Sequence, residues 1–407
     1  MIHSFTFKNF CSFAEKATIS FVDIRKGVET KSNMFCDSPS GTRLSKVTTV
    51  IGPNASGKTS ALKALSFLGW FVRNSFVGIE GDQEIPVDTF AFSSNKDDNS
   101  EFELVFEHEK NIYKYILHLC REHIINEELY QKEKTQHFNY LFKRSWNPET
   151  KKTDIAQRIN LRTEVVREIL RKNVSLVSTS VAIKNKVLTE ISNFWSSIFT
   201  NVNRSGKQWN TTALGDKGLL EASKSYDNDK KLFARAVNFL RNADIGLSGI
   251  FIERGEMKNT ETGEIMDYWF PYGEHEVDGE KHKLEFFYES SGTKNLFVLL
   301  HYLLPVVQSG GIAIIDELEV DLHPHLLPLI VELFANPQTN PKNSQLLFTS
   351  HSVEILNYLE KEQVVLVEKN ENCKSELYRL DEIKGVRRDD NIYAKYMAGA
   401  YGAVPNI

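Results

Sequence analysis

The run Gly52-Pro53-Asn54-Ala55-Ser56-Gly57-Lys58-Thr59-Ser60 combines glycines, a lysine and hydroxyls at a spacing suited to holding a polyphosphate. Gly52, Gly57, Lys58 and Thr59 fill the pattern G-x-x-x-x-G-K-[ST]. The glycines let backbone N–H groups turn inward around a phosphate, at the positive end of the helix that follows. In that cradle Pro53 to Ser60 surround the phosphates, Lys58 reaches the β- and γ-phosphates and the Thr59 hydroxyl holds a metal ion. The ligands implied are a nucleotide and Mg²⁺. Far downstream, Asp316-Glu317 ends an apolar run, where an acid supplies the second Mg²⁺ contact and the next one polarises a water. Asp316 is the metal candidate and Glu317 the general base.

Two weaker motifs accompany these. Glu289-Ser290-Ser291-Gly292-Thr293-Lys294 precedes Asp316, and a small turn at a helix N-terminus is an anion-binding device. Thr349-Ser350-His351 follows Glu317, and a histidine at a strand tip facing the γ-phosphate senses its presence. Ser-Gly turns and lone histidines are usually structural; here their order along the chain gives them weight.

The elements that must position these groups are legible around them. Val47-Thr48-Thr49-Val50-Ile51 reads as a buried strand before the loop, and Ser60 to Leu68 as a helix after it. Gly311 to Ile315 and Gln345 to Phe348 read as buried strands, and Asn295 to Leu304 as an apolar helix. Between Lys58 and Asp316 lies well over half of the chain, so something large is inserted between the halves of the site.

With these motifs in place the chain resembles the ABC-type ATPase superclass that includes SMC proteins and RecF. Within it the chain is most similar to the AAA15/AAA21 group of prokaryotic defence ATPases, in its OLD-like branch that lacks a nuclease. The matching words are Gly52 to Ser60, Ser290 to Lys294, Asp316 to Asp321 with Leu322-His323-Pro324, Thr349 to His351, and the tail from Tyr396 to Pro405. Phe5 to Phe21 resembles the paired N-terminal strands, with Lys8, Asn9 and Phe10 near the base. The resemblance implies an α/β fold: a P-loop NTPase head of ABC type, with a parallel core sheet, an antiparallel β layer and an inserted helical subdomain. It implies catalytic roles for Glu317, His351 and Lys58, with Ser291 and Gly292 capping the γ-phosphate of a second copy. ATP then joins two heads and hydrolysis releases them, with Asp321 coupling the two sites. Ser290 and Thr293 stand where transporters prefer Leu and Gly. The glutamine that bridges Mg²⁺ to the attacking water has two candidate places, Gln83 and the stretch Phe90 to Asn95.

Composition sets the remaining bounds. A chain of 407 residues, with 41% apolar and 25% charged, buries a full core. The apolar run Leu296 to Val307 contains His301 and is too short to span a bilayer, and no signal-peptide core opens the sequence. Cys11, Cys36, Cys120 and Cys373 lack metal-ligand spacing, which fits reduced thiols in a cytoplasm. The net charge of −5 argues against broad coating of nucleic acid. Against that background, Gln131 to Lys172 carries 11 Lys or Arg and 5 Asp or Glu, with Tyr140, Phe142 and Trp146 interleaved. Such a patch could grip nucleic acid or an acidic protein. The preferred reading is plainer, a solvated helical face.

Glu101 to Glu107 and Tyr113 to Leu119 beat at period two, which predicts an antiparallel meander. From Asn147 to Asn242 the period turns helical, with stripes at Ile155, Ile159, Leu161, Val165 and Val166 and at Val187, Ile191, Phe194, Trp195 and Ile198. Asn201 to Asp216 reads as a loop and Leu219 to Arg241 as a helix. Strands return at Ser248–Glu253 and Lys283–Tyr288. We therefore expect a head of 1–145 and 246–407 and a helical insert of 146–245, a lid or an oligomerisation module. The tail after Val367 is too short for a fused TOPRIM nuclease. The function expected is an ATP-hydrolysing sensor or regulator, a homodimer or higher homo-oligomer. It would act on a separate effector, a TOPRIM or HNH nuclease, in anti-phage defence. The alternative is a RecF-like repair ATPase that binds DNA directly.

Overall fold

The computed structural model describes residues 1–24, 33–93, 99–132, 137–203, 206–207, 216–243, 246–258, 265–320 and 322–405. The elements nearest the motifs are β1 (Val47–Ile51), α1 (Lys58–Gly78), β2 (Ile198–Thr200), α2 (Ser291–Ser309), β3 (Ile312–Ile315), β4 (Gln345–Thr349), β5 (Val364–Lys369) and β6 (Ser375–Arg379). The six strands form one sheet in the order β2-β3-β4-β1-β5-β6, parallel throughout except for the antiparallel edge β6.

Both faces of this sheet are covered, which explains why its strands read as unbroken apolar runs rather than alternations. Successive side chains still point to opposite faces. Ile312, Ile314, Leu347, Val50, Val365 and Val367 enter one core with α1 and the inner face of a second sheet. Ala313, Ile315, Leu346, Phe348, Val47, Ile51, Val364 and Leu366 enter another core with α2 and the helix Leu326–Ala335. The second sheet is antiparallel and seven-stranded. Its order runs Lys152–Gln157, Phe138–Asn147, Ile124–Lys132, Asn111–Leu119, Ser100–His108, Ile2–Lys8 and Ala17–Ser20. The fold is thus an α/β P-loop head with a parallel core and an antiparallel layer, as the sequence predicts.

The middle of the chain departs from expectation at particular elements. The helical period assigned from Asn147 begins later, because Lys152–Gln157 pairs antiparallel with residues 142–147 and extends the meander. The Asn147 side chain makes the turn, its Oδ1 accepting from the Glu149 and Thr150 N–H groups. Ile155 therefore lies on a strand, and the helix that follows is Thr163–Ile169. Ile198, assigned to a helical stripe, opens β2, the outer parallel strand of the core. The helix expected over Leu219–Arg241 is two, Asp216–Asn228 and Lys230–Asn242, divided where the Asp229 carboxylate caps the second by accepting from Lys231 and Leu232. Residues of both join the core around α2. Beyond them a three-stranded antiparallel sheet (Gly249–Lys258, Ile265–Val277, Glu280–Glu285) leads to α2, and its central strand was not anticipated. Among the described residues no helix is long and apolar enough to cross a membrane.

Candidate functional site

The glycine-rich loop leaves β1 at Ile51 and enters α1 at Lys58, strand before and helix after. Two of its positions tolerate only glycine. Gly57 has φ of +116°, and a Cβ there would lie 2.5 Å from Ser375 Oγ. A Cβ on Gly52 would lie 2.0 Å from the Val367 carbonyl oxygen. The loop is held from outside by Ser375, whose Oγ lies 2.6 Å from the Ser56 carbonyl oxygen and 2.7 Å from Ser12 Oγ. Neither serine was singled out from sequence, for nothing marks a hydroxyl that supports a loop from a distant strand.

The Lys58 ammonium is buried and donates to the carbonyls of Gly52 (2.8 Å) and Pro53 (2.9 Å). Burial pulls its pKa below the usual lysine value, against the opposing pull of Asp316, Glu317 and Glu319. Thr59 Oγ1 donates to Asp316 Oδ2 at 2.8 Å, joining residues 257 positions apart. The other oxygen, Oδ1, accepts from Thr349 Oγ1 at 2.7 Å. Thr349 Oγ1 in turn accepts from the Glu317 N–H at 2.7 Å. Three strand ends, β1 through its loop, β3 and β4, therefore meet at one carboxylate.

Glu317 adopts φ of +49°, a left-handed conformation that costs free energy for a side-chain-bearing residue and is kept only where its surroundings enforce it. Its Oε2 lies 2.8 Å from Lys207 Nζ and its Oε1 3.4 Å from His351 Nε2. Burial pushes the Glu317 carboxyl up, but the Lys207 ammonium and the His351 ring outweigh it and hold the carboxyl below the usual range. The His351 N–H donates to Glu319 Oε1. Asn54 to Ser60, Asp316, Glu317 and His351 line one open cleft of about 560 Å³, together with Ser12 and Lys369.

The structure thus brings together most of the residues predicted for the site. Ser291 and Gly292 are not among the cleft's lining residues. Ser291 is exposed at the start of α2, where Ser290 Oγ caps the helix by accepting from the Thr293 N–H at 3.1 Å. Of the two candidate places for a bridging glutamine, Gln83 lies in an exposed turn and lines a different cavity, along α1. In the stretch Phe90 to Asn95, Ser94 and Asn95 lie outside the described residues, as does Asp321. Asn9 accepts from the Phe90 N–H at 3.0 Å and borders a separate cavity with Lys8. Asn201 and Lys207 fall in a segment read as a loop, and sequence offered no signal for either.

The basic stretch 131–172 is not the helical face that was preferred. Much of it lies on the outer strands of the antiparallel sheet, where cations and rings interleave. Lys114 lies over Tyr130 and Phe138, Lys143 over Tyr130 and Tyr140, and Arg158 over Tyr140 at 4.1 Å from the ring centroid. Arg144, by contrast, is buried against Glu127.

The donor set suits ATP and Mg²⁺. A threonine hydroxyl and one carboxylate oxygen 2.8 Å apart offer the few hard oxygen ligands that Mg²⁺ takes when phosphates and waters complete its shell. Among the described residues no cluster of three or more His, Cys, Asp or Glu offers a rival metal site.

No curated protein matches this sequence. Among solved structures, the SMC head domain with an extended coiled coil bound to the C-terminal domain of ScpA, from Pyrococcus furiosus, aligns over 94% of this chain and 97% of that one. It does so at 13% identity and a TM-score of 0.36, too low to inform the site. A family model described as "AAA domain, putative AbiEii toxin, Type IV TA system" matches residues 47–357, from the first residue of β1 to beyond His351. With the phosphate loop, the acidic strand end and the histidine all inside that match, the chain belongs to this AAA family of P-loop ATPase domains.

Proposed function

We propose that this protein binds and hydrolyses ATP with Mg²⁺, pairs with a second copy when ATP is bound, and uses that cycle to control a separate effector in anti-phage defence. The observation that carries the reading is the hydrogen-bonded chain from Thr59 through Asp316 and Thr349 to the Glu317 backbone. It links the phosphate loop to a candidate base through three consecutive hydrogen bonds. The loop's N–H groups and Lys58 would bind the phosphates, and Thr59 and Asp316 the metal. Mg²⁺, when bound, neutralises charge developing on the phosphates. Glu317 orients a water and accepts its proton, and His351 sits on its second oxygen. Ser291 and Gly292 would complete the site of the partner copy. The effector would be a TOPRIM or HNH nuclease, and the compartment the cytoplasm; the family's toxin–antitoxin description fits a two-component arrangement.

Replacement of Glu317 by Gln tests this. The variant should bind ATP as the native protein does while turnover falls at least about a hundredfold, equivalent to about 2.7 kcal/mol of barrier. ATP should also hold the variant in a stable dimer on light scattering. Undiminished turnover would refute the assignment of the base.

A second reading, direct binding of DNA in the manner of RecF, is favoured by the cation–aromatic lattice on the antiparallel sheet. An ATP-dependent gel shift that weakens steeply with salt would support it.

A further inference from the structure

The acidic strand end is gripped by a segment that the sequence marks as nothing more than a loop. β2 runs parallel to β3, and the Asn201 N–H continues the ladder by donating to the Ile314 carbonyl at 3.3 Å. Two residues further on, β3 has ended and the Asp316 peptide would lose its strand neighbour. The side-chain amide of Asn201 takes that place. Its Oδ1 accepts from the Asp316 N–H at 2.7 Å and its Nδ2 donates to the Asp316 carbonyl at 3.0 Å, reproducing both bonds of a ladder rung. Asn201 is only 1% exposed, so these bonds form away from water, where leaving the Asp316 peptide unpaired would be costly.

Val202–Asn203 then pairs antiparallel with Gly206–Lys207, and Lys207 Nζ lies 2.8 Å from Glu317 Oε2. Lys207 is not among the residues lining the cleft. Thr200 Oγ1, 3.1 Å from Ser66 Oγ, ties the same segment to α1. The short stretch from Ile198 to Lys207 therefore touches the phosphate-loop helix, the main chain of Asp316 and the side chain of Glu317.

We propose that Asn201 and Lys207 are positioning residues for catalysis: Asn201 fixes the main chain at Asp316, and Lys207 fixes the carboxylate of Glu317 in its strained conformation. The proposal rests on the ATPase reading for its consequence, but the clamp itself is a property of the chain alone.

The test uses the full-length protein with Lys207→Met, Lys207→Arg and Asn201→Ala. Lys207→Met should lower kcat about tenfold, leave KM and the Kd of a fluorescent ATP analogue within about twofold, and be rescued in part by Lys207→Arg. Hydrogen exchange without nucleotide reads the clamp independently of turnover. Asn201→Ala should speed exchange at the Asp316 amide at least about tenfold while the amides of β3 stay protected. If Lys207→Met leaves kcat unchanged or raises it, or lowers kcat with no rescue by Arg, the role of Lys207 is overturned. Unchanged exchange at Asp316 in folded Asn201→Ala overturns that of Asn201. Absence of turnover in the native protein, with the exchange result intact, would instead remove the ATPase reading and leave the clamp.

Discussion

Gly57 and Lys58 are adjacent, yet replacing each by alanine should abolish nucleotide binding for different reasons. Lys58→Ala removes the cation that would meet the β- and γ-phosphates, together with its bonds to the Gly52 and Pro53 carbonyls, but adds no clash. Gly57→Ala keeps the cation but adds a Cβ in a left-handed conformation, 2.5 Å from Ser375 Oγ, so the loop must deform. Both should lose at least about a hundredfold in ATP affinity by titration calorimetry, about 2.7 kcal/mol. Ser375→Gly in the Gly57→Ala background removes the nearer of two obstructing hydroxyls, Ser12 Oγ at 2.9 Å being the other, and should recover part of the binding, whereas Lys58→Ala should gain nothing from it. Groups of this kind are legible in sequence because their spacing is fixed by the phosphate they hold. Ser375, Ser12, Asn201 and Lys207 are not, because each acts through a neighbour that only the fold supplies.

Among the elements, a buried ion pair between two strands of the antiparallel sheet also holds the chain beyond it. Glu127 Oε2 lies 3.1 Å from Arg144 Nη1, and Arg144 also donates to the carbonyls of Val174 (2.6 Å) and Arg171 (2.8 Å). Glu127 Oε1 accepts from Tyr115 Oη (2.8 Å) and Ser175 Oγ (2.7 Å). Arg144→Met strands a buried carboxylate and should destabilise the protein by about 3–5 kcal/mol, read from the urea midpoint. A double variant, Glu127→Leu with Arg144→Met, should regain much of that loss, because no isolated charge then remains. At this scale the sequence is readable where one face is wet, as in residues 101–119, or where an apolar run meets a motif. It misleads where tertiary pairing overrides local pattern. β2 has only three residues and follows a helical stripe directly, so periodicity alone assigns Ile198 to the helix. Lys152–Gln157 carries one large apolar residue, Ile155, which fits a helical stripe as easily as an edge strand.

At the scale of the whole molecule, the exposed start of α2 is where the proposed pairing of two copies is tested. α2 is packed along its length into the core opposite the antiparallel sheet, while Ser291 faces solvent and stays apart from the cleft that holds Lys58. On the function proposed above, Ser291 meets the γ-phosphate held by another copy. Ser291→Arg should therefore leave a single subunit's ATP affinity within about threefold of native, since its own cleft is untouched, yet prevent pairing through the bulk and charge of the new side chain. The cleanest comparison sets this change in the Glu317→Gln background, where ATP is not consumed. Light scattering should then find a dimer for Glu317→Gln with ATP and a monomer for the double variant at the same concentration. A dimer that survives Ser291→Arg would mean that pairing, where it occurs, runs through another surface, and Ser291 would return to the plainer role of the first residue in a capped helix.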